Sequence, residues 1–494
     1  MWFKQSAYAG SCIIILLISL SCVTPPRAIE EDGNGSCISA ERTEDFHSGL
    51  RKKTLEDRII PDEWGEVLLE QAVEKRAVSL LAGMSLSEKI GQLFFISLWN
   101  SDKSVYAGKV DEWVTERLRT VKPGGIILFG GNIGTEEQTL KLTRDLQETS
   151  RIPLFIATDQ EGGYVSRLTE SKKIDATSIP SPKELGKLHD TGLTSLAGWV
   201  IGRELASLGI NMDFAPLADV LTNEGNTIIG TRSFGSDFET VADHSSAFAR
   251  GLKAAGVVAV IKHFPGHGSS KGDPHKGSVS VEETLETLRN TTFLPFRRGV
   301  EEGIDCVMTA HISLPGITGT DYPASCSRYI NLSLLRGELG FGGLIITDSL
   351  AMGAISERWE SGEGVMRAFT AGADLLLMPK SPEDAYAALA GAVAEGRIEE
   401  VRIDQSVKRI LEVKIRRGII PLDAGPVASR KLAQNLRTSK EQVRERVEKY
   451  FPETRMNDLP GKIVGNKLHK KIAGLLRDKI AEAVSKDDAS AHAE

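Results

Sequence analysis

The stretch from Lys262 to His275 reads Lys-His-Phe-Pro-Gly-His-Gly-Ser-Ser-Lys-Gly-Asp-Pro-His and packs three histidines, a carboxylate and two lysines close together. It follows the apolar run Val257-Val258-Ala259-Val260-Ile261. A strand therefore delivers Lys262 and His263 to its C-terminal end, and a glycine-rich loop carries His267, Asp273 and His275. Three chemistries are open to such a set. His263, His267, Asp273 and His275 are competent metal ligands, although their spacing fits no standard zinc pattern and Lys262 adds a repelling cation. The histidines could be structural. In the third chemistry, Asp273 hydrogen-bonds the His275 imidazole two residues on, fixes its tautomer and raises its basicity. His275 then donates a proton to a leaving oxygen and later activates water.

Three further segments hold charged groups at the ends of apolar runs. Asp348 ends Ile345-Ile346-Thr347 and reads either as a helix cap or as a nucleophilic carboxylate. Asp159 ends another run and precedes Gln160-Glu161-Gly162-Gly163-Tyr164-Val165-Ser166-Arg167, where the glycine pair lets backbone approach a ligand closely. Arg232 stands in the polar loop Ile229-Gly230-Thr231-Arg232-Ser233-Phe234-Gly235, where a surface ion pair would be the default.

The elements that must position these groups alternate in type. Apolar runs lie at Leu93–Ser97, Gly125–Phe129, Leu154–Asp159, Met212–Pro216, Val257–Phe264, Cys306–His311, Leu344–Ser349 and Leu375–Pro379. Their near-continuous Ile, Val, Leu and Ala content suits strands covered on both faces. Helical patterns such as Leu185–Leu208, Val241–Ala255, Ser280–Glu302 and Pro382–Gly396 lie between them. Eight strands alternating with helices predict an α/β fold, a (β/α)8 TIM barrel; a doubly wound open sheet is the alternative, and no GxGxxG follows any of the runs. Asp159, Asp213, His263, His311 and Asp348 fall in or at the ends of strands, and barrels keep their active sites at the C-terminal ends.

The 494 residues are 41% hydrophobic and 26% charged, with net charge −7, so general nucleic-acid binding is not expected. Residues 1–21 read as a signal peptide, with Lys4 before the apolar run Ile13–Leu20. Cys22 directly after it is a candidate lipid-attachment residue, which would hold the protein at a membrane by a lipid anchor. Plain signal cleavage and an uncleaved anchor are the alternatives. Residues 22–83 form a tether and helical segment, and 84–420 the barrel. Residues 421–494 form a charged helical extension, with 15 Lys and Arg against 11 Asp and Glu. It reads as a solvated tail or as a docking element for a partner or an anionic surface. The five cysteines have no CxxC spacing, so neither a disulfide framework nor a zinc site is indicated. Oligomeric state leaves no mark on the sequence.

Taken together the motifs resemble the family 3 glycoside hydrolases of the β-N-acetylhexosaminidase type. Lys262–Gly268 with Asp273 and His275 resembles their Lys-His-Phe-Pro-Gly-His-Gly strand end and Asp-X-His loop. Thr347-Asp348-Ser349-Leu350-Ala351-Met352 resembles their Thr-Asp-X-Leu-X-Met nucleophile motif. Asp159–Leu168 resembles Asp-Gln-Glu-Gly-Gly-Arg-Val-X-Arg-Leu, with Tyr164 replacing an arginine, and Ile229–Gly235 resembles their Ile-Gly-X-Arg-Ser-Phe-Gly loop. The resemblance implies a retaining exo-β-N-acetylglucosaminidase. Asp348 would be the nucleophile and the Asp273–His275 dyad the acid/base, in departure from the usual carboxylate pair. Asp159, Arg167, Arg232, Lys262 and His263 would bind substrate, and no cofactor or metal would be required. Terminal β-GlcNAc on peptidoglycan fragments in the periplasm or cell envelope would be the carbohydrate substrate. A family 3 β-glucosidase and a catalytically inactive envelope sugar-binding lipoprotein are the alternatives.

Overall fold

The computed structural model describes residues 62–99, 105–274, 276–452 and 463–491. The leader, Cys22, the tether up to residue 61 and His275 lie outside the described residues. Eight strands occupy the eight apolar runs: β1 (Phe94–Ser97), β2 (Gly125–Ile127), β3 (Phe155–Thr158), β4 (Met212–Asp213), β5 (Val258–Phe264), β6 (Cys306–Thr309), β7 (Leu344–Thr347) and β8 (Leu376–Leu377). Each pairs in parallel with the next from β1 to β7, and β8 pairs with β1. Between β7 and β8 the pairing is a parallel bridge from Ile346 to Leu375, flanked by the Leu350 N–H on the Leu377 carbonyl at 2.8 Å. The sheet is thus a nearly closed barrel of eight parallel strands. Every residue of these strands is buried, which is why the runs are apolar throughout rather than alternating. Phe95 anchors the interior, with its ring 6.5 Å from Phe155 and 5.5 Å from Phe214.

Helices form the outer layer, and short polar side chains start them. Asp111, Thr135, Asp190, Asp237 and Ser381 each accept a backbone N–H in the first turn of the helix that follows. Asp190 starts its helix at Thr191, later than the apolar pattern suggests. The pattern over 280–302 divides into Leu285–Asn290 and Phe293–Glu301, because Thr284 caps the first and Thr291-Thr292 interrupts the chain between them. Among the described residues, no helix is long and apolar enough to cross a membrane. The charged C-terminal extension forms the helices Pro426–Tyr450 and Lys467–Ala491, and both contact the helix Thr191–Ser207. They bury Val443, Val447, Leu468, Ile472 and Leu476 and turn most of their charged side chains outward, so one face of this extension is packed rather than solvated. Cys306 is core, as its apolar run suggests. Cys326 is also buried despite its polar neighbours, and burial pushes its thiol up to about 12.

At the other end of the barrel the helix Glu400–Arg416 inserts Lys414, which is fully buried. Its ammonium donates to Gln92 Oε1 at 2.9 Å and to the Gly124 carbonyl at 3.0 Å, and it lies 4.9 Å from the Phe155 ring centre. No carboxylate offsets the burial, which pushes the lysine down from its ordinary 10.5 to about 7. The folded state therefore releases this proton before the unfolded chain does. The cost is fully present below pH ~7 and is relieved as pH rises toward ~10. Replacing Lys414 with Met removes the charge but strands two acceptors. The stability of Lys414→Met relative to wild type should fall as pH rises through that window, by at most about 1.4 kcal/mol per pH unit. Urea unfolding at several pH values checks this, and a pH-independent difference would contradict it.

Candidate active site

The C-terminal ends of the strands open into a cleft of about 530 Å³. One wall is a buried ion network. Lys262, at the end of β5, donates to Asp159 Oδ1 at 2.9 Å and to Glu161 Oε1 at 2.7 Å. Glu161 also takes both arms of Arg232, each at 2.8 Å. Arg167 approaches Asp159 Oδ2 at 3.8 Å, binds Glu170 at 2.8 Å and lies over the Phe129 ring. Burial alone would raise the Glu161 carboxyl, but Arg232 and Lys262 outweigh it and hold the group down to about 2. Burial likewise opposes the Lys262 ammonium, and Asp159 and Glu161 overcome it and raise its pKa. Asp213, at the end of β4, has the opposite fate. It is fully buried, its Oδ1 accepts the Gln160 N–H at 2.9 Å and its Oδ2 has no partner. Burial pushes its pKa well above the ordinary carboxylate value.

Local backbone makes this wall possible. Gln160–Gly162 and Val165–Ser166 form a small hairpin whose turn places Gly162 at φ 86° and Gly163 at φ 61°, a region that disfavours side chains. On β5 the pairing with β6 shifts register between Ile261 and Phe264. In a regular strand adjacent side chains face opposite ways. The irregularity lets Lys262 and His263 both line the cleft.

The other wall is built around Asp348, which follows β7. Its Oδ1 accepts the Ser349 N–H at 2.7 Å. Burial would raise this carboxyl, but His263, His311, the Ser349 N–H and Lys262 hold it down to about 2. His263 Nδ1 donates to Asp219 Oδ2 at 2.7 Å, and Asp219 also accepts the His267 backbone N–H at 2.6 Å. His311 Nε2 donates to the Ser349 carbonyl at 2.9 Å, so its Nδ1 accepts from Ser325 Oγ at 2.7 Å. His267 lines the cleft with Nδ1 on Ser270 Oγ at 2.9 Å, and desolvation lowers its pKa. Among the described residues no group of three His, Cys, Asp or Glu side chains could hold a metal ion.

Asp348, Asp159, Arg167, Arg232, Lys262 and His263, each singled out from sequence, line this one cleft. The loop after β5 reaches it through Pro274, whose carbonyl accepts the Ala354 N–H at 3.0 Å beyond Asp348. Asp273 lies in that loop, and His275 is outside the described residues. Sequence reasoning did not give roles to Glu161, Asp219 and His311. Glu161 sat inside a motif already quoted, between Asp159 and the glycine pair. Asp219 carried no local signal, because its partner lies on the next strand.

The chain matches the glycosyl hydrolase family 3 N terminal domain over residues 85–413, and it belongs to that family. It is 35% identical over 332 residues to beta-hexosaminidase A of Pseudoalteromonas piscicida, covering 61% of this chain but only 55% of that protein. It is 38% identical to beta-hexosaminidase LpqI of Mycobacterium tuberculosis over 53% of this chain and 68% of the relative. Its structure superposes on the family 3 beta-N-acetylglucosaminidase from Paenibacillus sp. str. FPU-7 with TM-score 0.64 and 37% identity, over 74% of this chain and 69% of that one.

Glu161 bridges Lys262 and Arg232, so its removal strips Arg232 of its main anion and leaves Lys262 with Asp159 alone. Glu161→Ala should cost about 3–5 kcal/mol in urea unfolding at neutral pH. Because the folded carboxyl titrates near 2, its contribution persists above pH ~4.5 and is lost as pH falls toward ~2. A loss below about 1 kcal/mol would mean the network does not depend on this carboxylate.

Proposed function

We propose that the protein is a retaining, exo-acting β-N-acetylglucosaminidase. The observation that carries this reading is Asp348, held as an anion at the mouth of the barrel opposite a wall of sugar-competent cations and carboxylates. Family membership and the names of the relatives, beta-hexosaminidase and beta-N-acetylglucosaminidase, support the choice of sugar. A low carboxyl pKa keeps the nucleophile unprotonated at neutral pH. In the first step an Asp348 oxygen bonds to the anomeric carbon as the bond to the leaving oxygen breaks. That oxygen takes a proton from His275, oriented by Asp273. In the second step His275 takes a proton from water, water bonds to the anomeric carbon, and the Asp348 ester breaks. Asp159, Lys262, Arg167, Arg232 and His263 bind the terminal ring.

Peptidoglycan fragments are the proposed substrate, and the apolar leader ending at Cys22 supports an envelope location with lipid attachment. Fractionation and mass spectrometry of the N-terminus should find a processed chain in the envelope. An intact Met1 in the cytosol would refute the location.

Aryl β-GlcNAc should be hydrolysed in preference to the matching glucoside. A 2-deoxy-2-fluoro sugar should label Asp348, and Asp348→Ala should abolish turnover while leaving the fold intact by circular dichroism. Labelling of another carboxylate would overturn the assignment. His275→Ala should slow substrates with poor leaving groups by about 10²–10⁴-fold, with a far smaller effect on activated aryl glycosides. Asp273→Asn should show the same pattern more mildly. Equal losses on all substrates would make His275 a binding residue or a metal ligand, which a metal assay would separate.

A further inference from the structure

The family match ends at residue 413, yet the C-terminal extension reaches the loop that backs the hairpin carrying Glu161. Glu204, on the helix Thr191–Ser207, is 2% exposed, and the donors to its carboxylate are backbone N–H groups, a hydroxyl and an imidazole. Its carboxylate gathers two segments far apart in sequence. From the loop after the hairpin it accepts the Thr177 N–H at 3.0 Å and the Thr177 hydroxyl at 2.6 Å. From the extension it accepts the Gly465 N–H at 2.8 Å and His469 Nδ1 at 3.0 Å. His469 is fully buried and stands edge-on to Trp199 at 5.5 Å. Two outer contacts run alongside: Lys470 to Asp175 at 2.7 Å and Arg477 to the Ser178 carbonyl at 3.0 Å. Gly465 packs so closely on the Asp175 carbonyl that a Cβ there would stand 1.9 Å from it. The clamped loop in turn backs the hairpin turn. The Gly163 N–H donates to the Ile179 carbonyl at 3.0 Å, and a Cβ at Gly162 would stand 2.7 Å from the Pro180 carbonyl. Glu161, beside that turn, then fixes Arg232 and Lys262.

We infer that residues 463–491 are a clamp for the substrate-binding hairpin, and that Thr177, Glu204 and His469 are positioning residues that hold Glu161 and its cations in register. A helix packed only for stability has no need to bury an anion that must be hydrogen-bonded from both sides. The clamp joins the extension, anchored by the buried Leu468, Ile472 and Leu476, to the hairpin turn. Its kinetic consequence rests on the glycosidase reading, but the clamp itself does not.

The test uses the full-length chain and two readouts. Hydrogen exchange at the amides of residues 160–166 reports the hairpin whatever the substrate proves to be. Thr177→Val removes one hydroxyl donor, Thr177→Ser keeps it, and Glu204→Gln weakens the centre. Thr177→Val and Glu204→Gln should speed exchange in the hairpin, and Thr177→Ser should restore the wild-type rate. On aryl β-GlcNAc the first two should raise KM about 3- to 10-fold, a size usual for changes acting through coupled groups, with kcat nearly constant. Val443→Ala, in the neighbouring helix Pro426–Tyr450, should lower the melting temperature without changing either readout. Unchanged hairpin exchange in Thr177→Val overturns the clamp. Faster exchange with unchanged KM overturns its role in substrate binding. If the wild-type protein does not turn over aryl β-GlcNAc, the functional reading fails and exchange alone decides the clamp.

Discussion

Glu161 is a carboxylate with almost no contact with water, and it stands between Lys262 and Arg232. A buried charge is tolerated only when partners replace the hydration it loses, so these three groups fix one another. Lys262 carries the constraint to Asp159, and Asp159 to Arg167. One cleft wall is therefore a single electrostatic unit drawn from β3, β5 and the loop holding Arg232. Its glycine turn, its strand irregularity and its backing loop are the backbone features that let the charges meet.

The same barrel end holds two aspartates whose pKa values move in opposite directions. Asp213 and Asp348 both end strands, and burial raises the pKa of each. At Asp213 one backbone N–H and a more distant lysine do not offset it, and carboxylates nearby add to the rise. At Asp348 two imidazoles, a backbone donor and the same lysine outweigh it. Strand-end position alone does not set a carboxyl's pKa; the groups on the neighbouring strands decide which way it moves. His263 takes part in that decision while held by Asp219, which places its ring without placing it on Asp348 by a direct bond.

The opposite end of the barrel shows a different solution. Lys414 satisfies two acceptors near the starts of β1 and β2 with no counter-charge, so it closes the floor at a cost that depends on its protonation. The outer shell is extended by the two C-terminal helices, which share apolar contacts with the helix Thr191–Ser207 and place His469 beside Glu204.

The eight strands were legible in the sequence because parallel strands under helices must be apolar on both faces, and that leaves continuous runs. The cleft residues Asp159, Arg167, Arg232, Lys262, His263 and Asp348 were legible because they stand in dense local motifs at the ends of those runs. The start of the helix at Thr191 and the break at Thr291-Thr292 were missed, since caps and interruptions compete with periodicity over single residues. The charge states were also out of reach. Asp213 and Asp348 look alike in one dimension, and only the packing of neighbouring strands gives one a pair of histidines and the other an unpartnered oxygen. Glu204 and His469 are 265 residues apart, and nothing local to either signals the other. Local composition determined which residues could do chemistry and on which elements they stand. Tertiary structure decided which charges share low-dielectric space, because Coulomb energy and desolvation depend on distance through the fold and not along the chain.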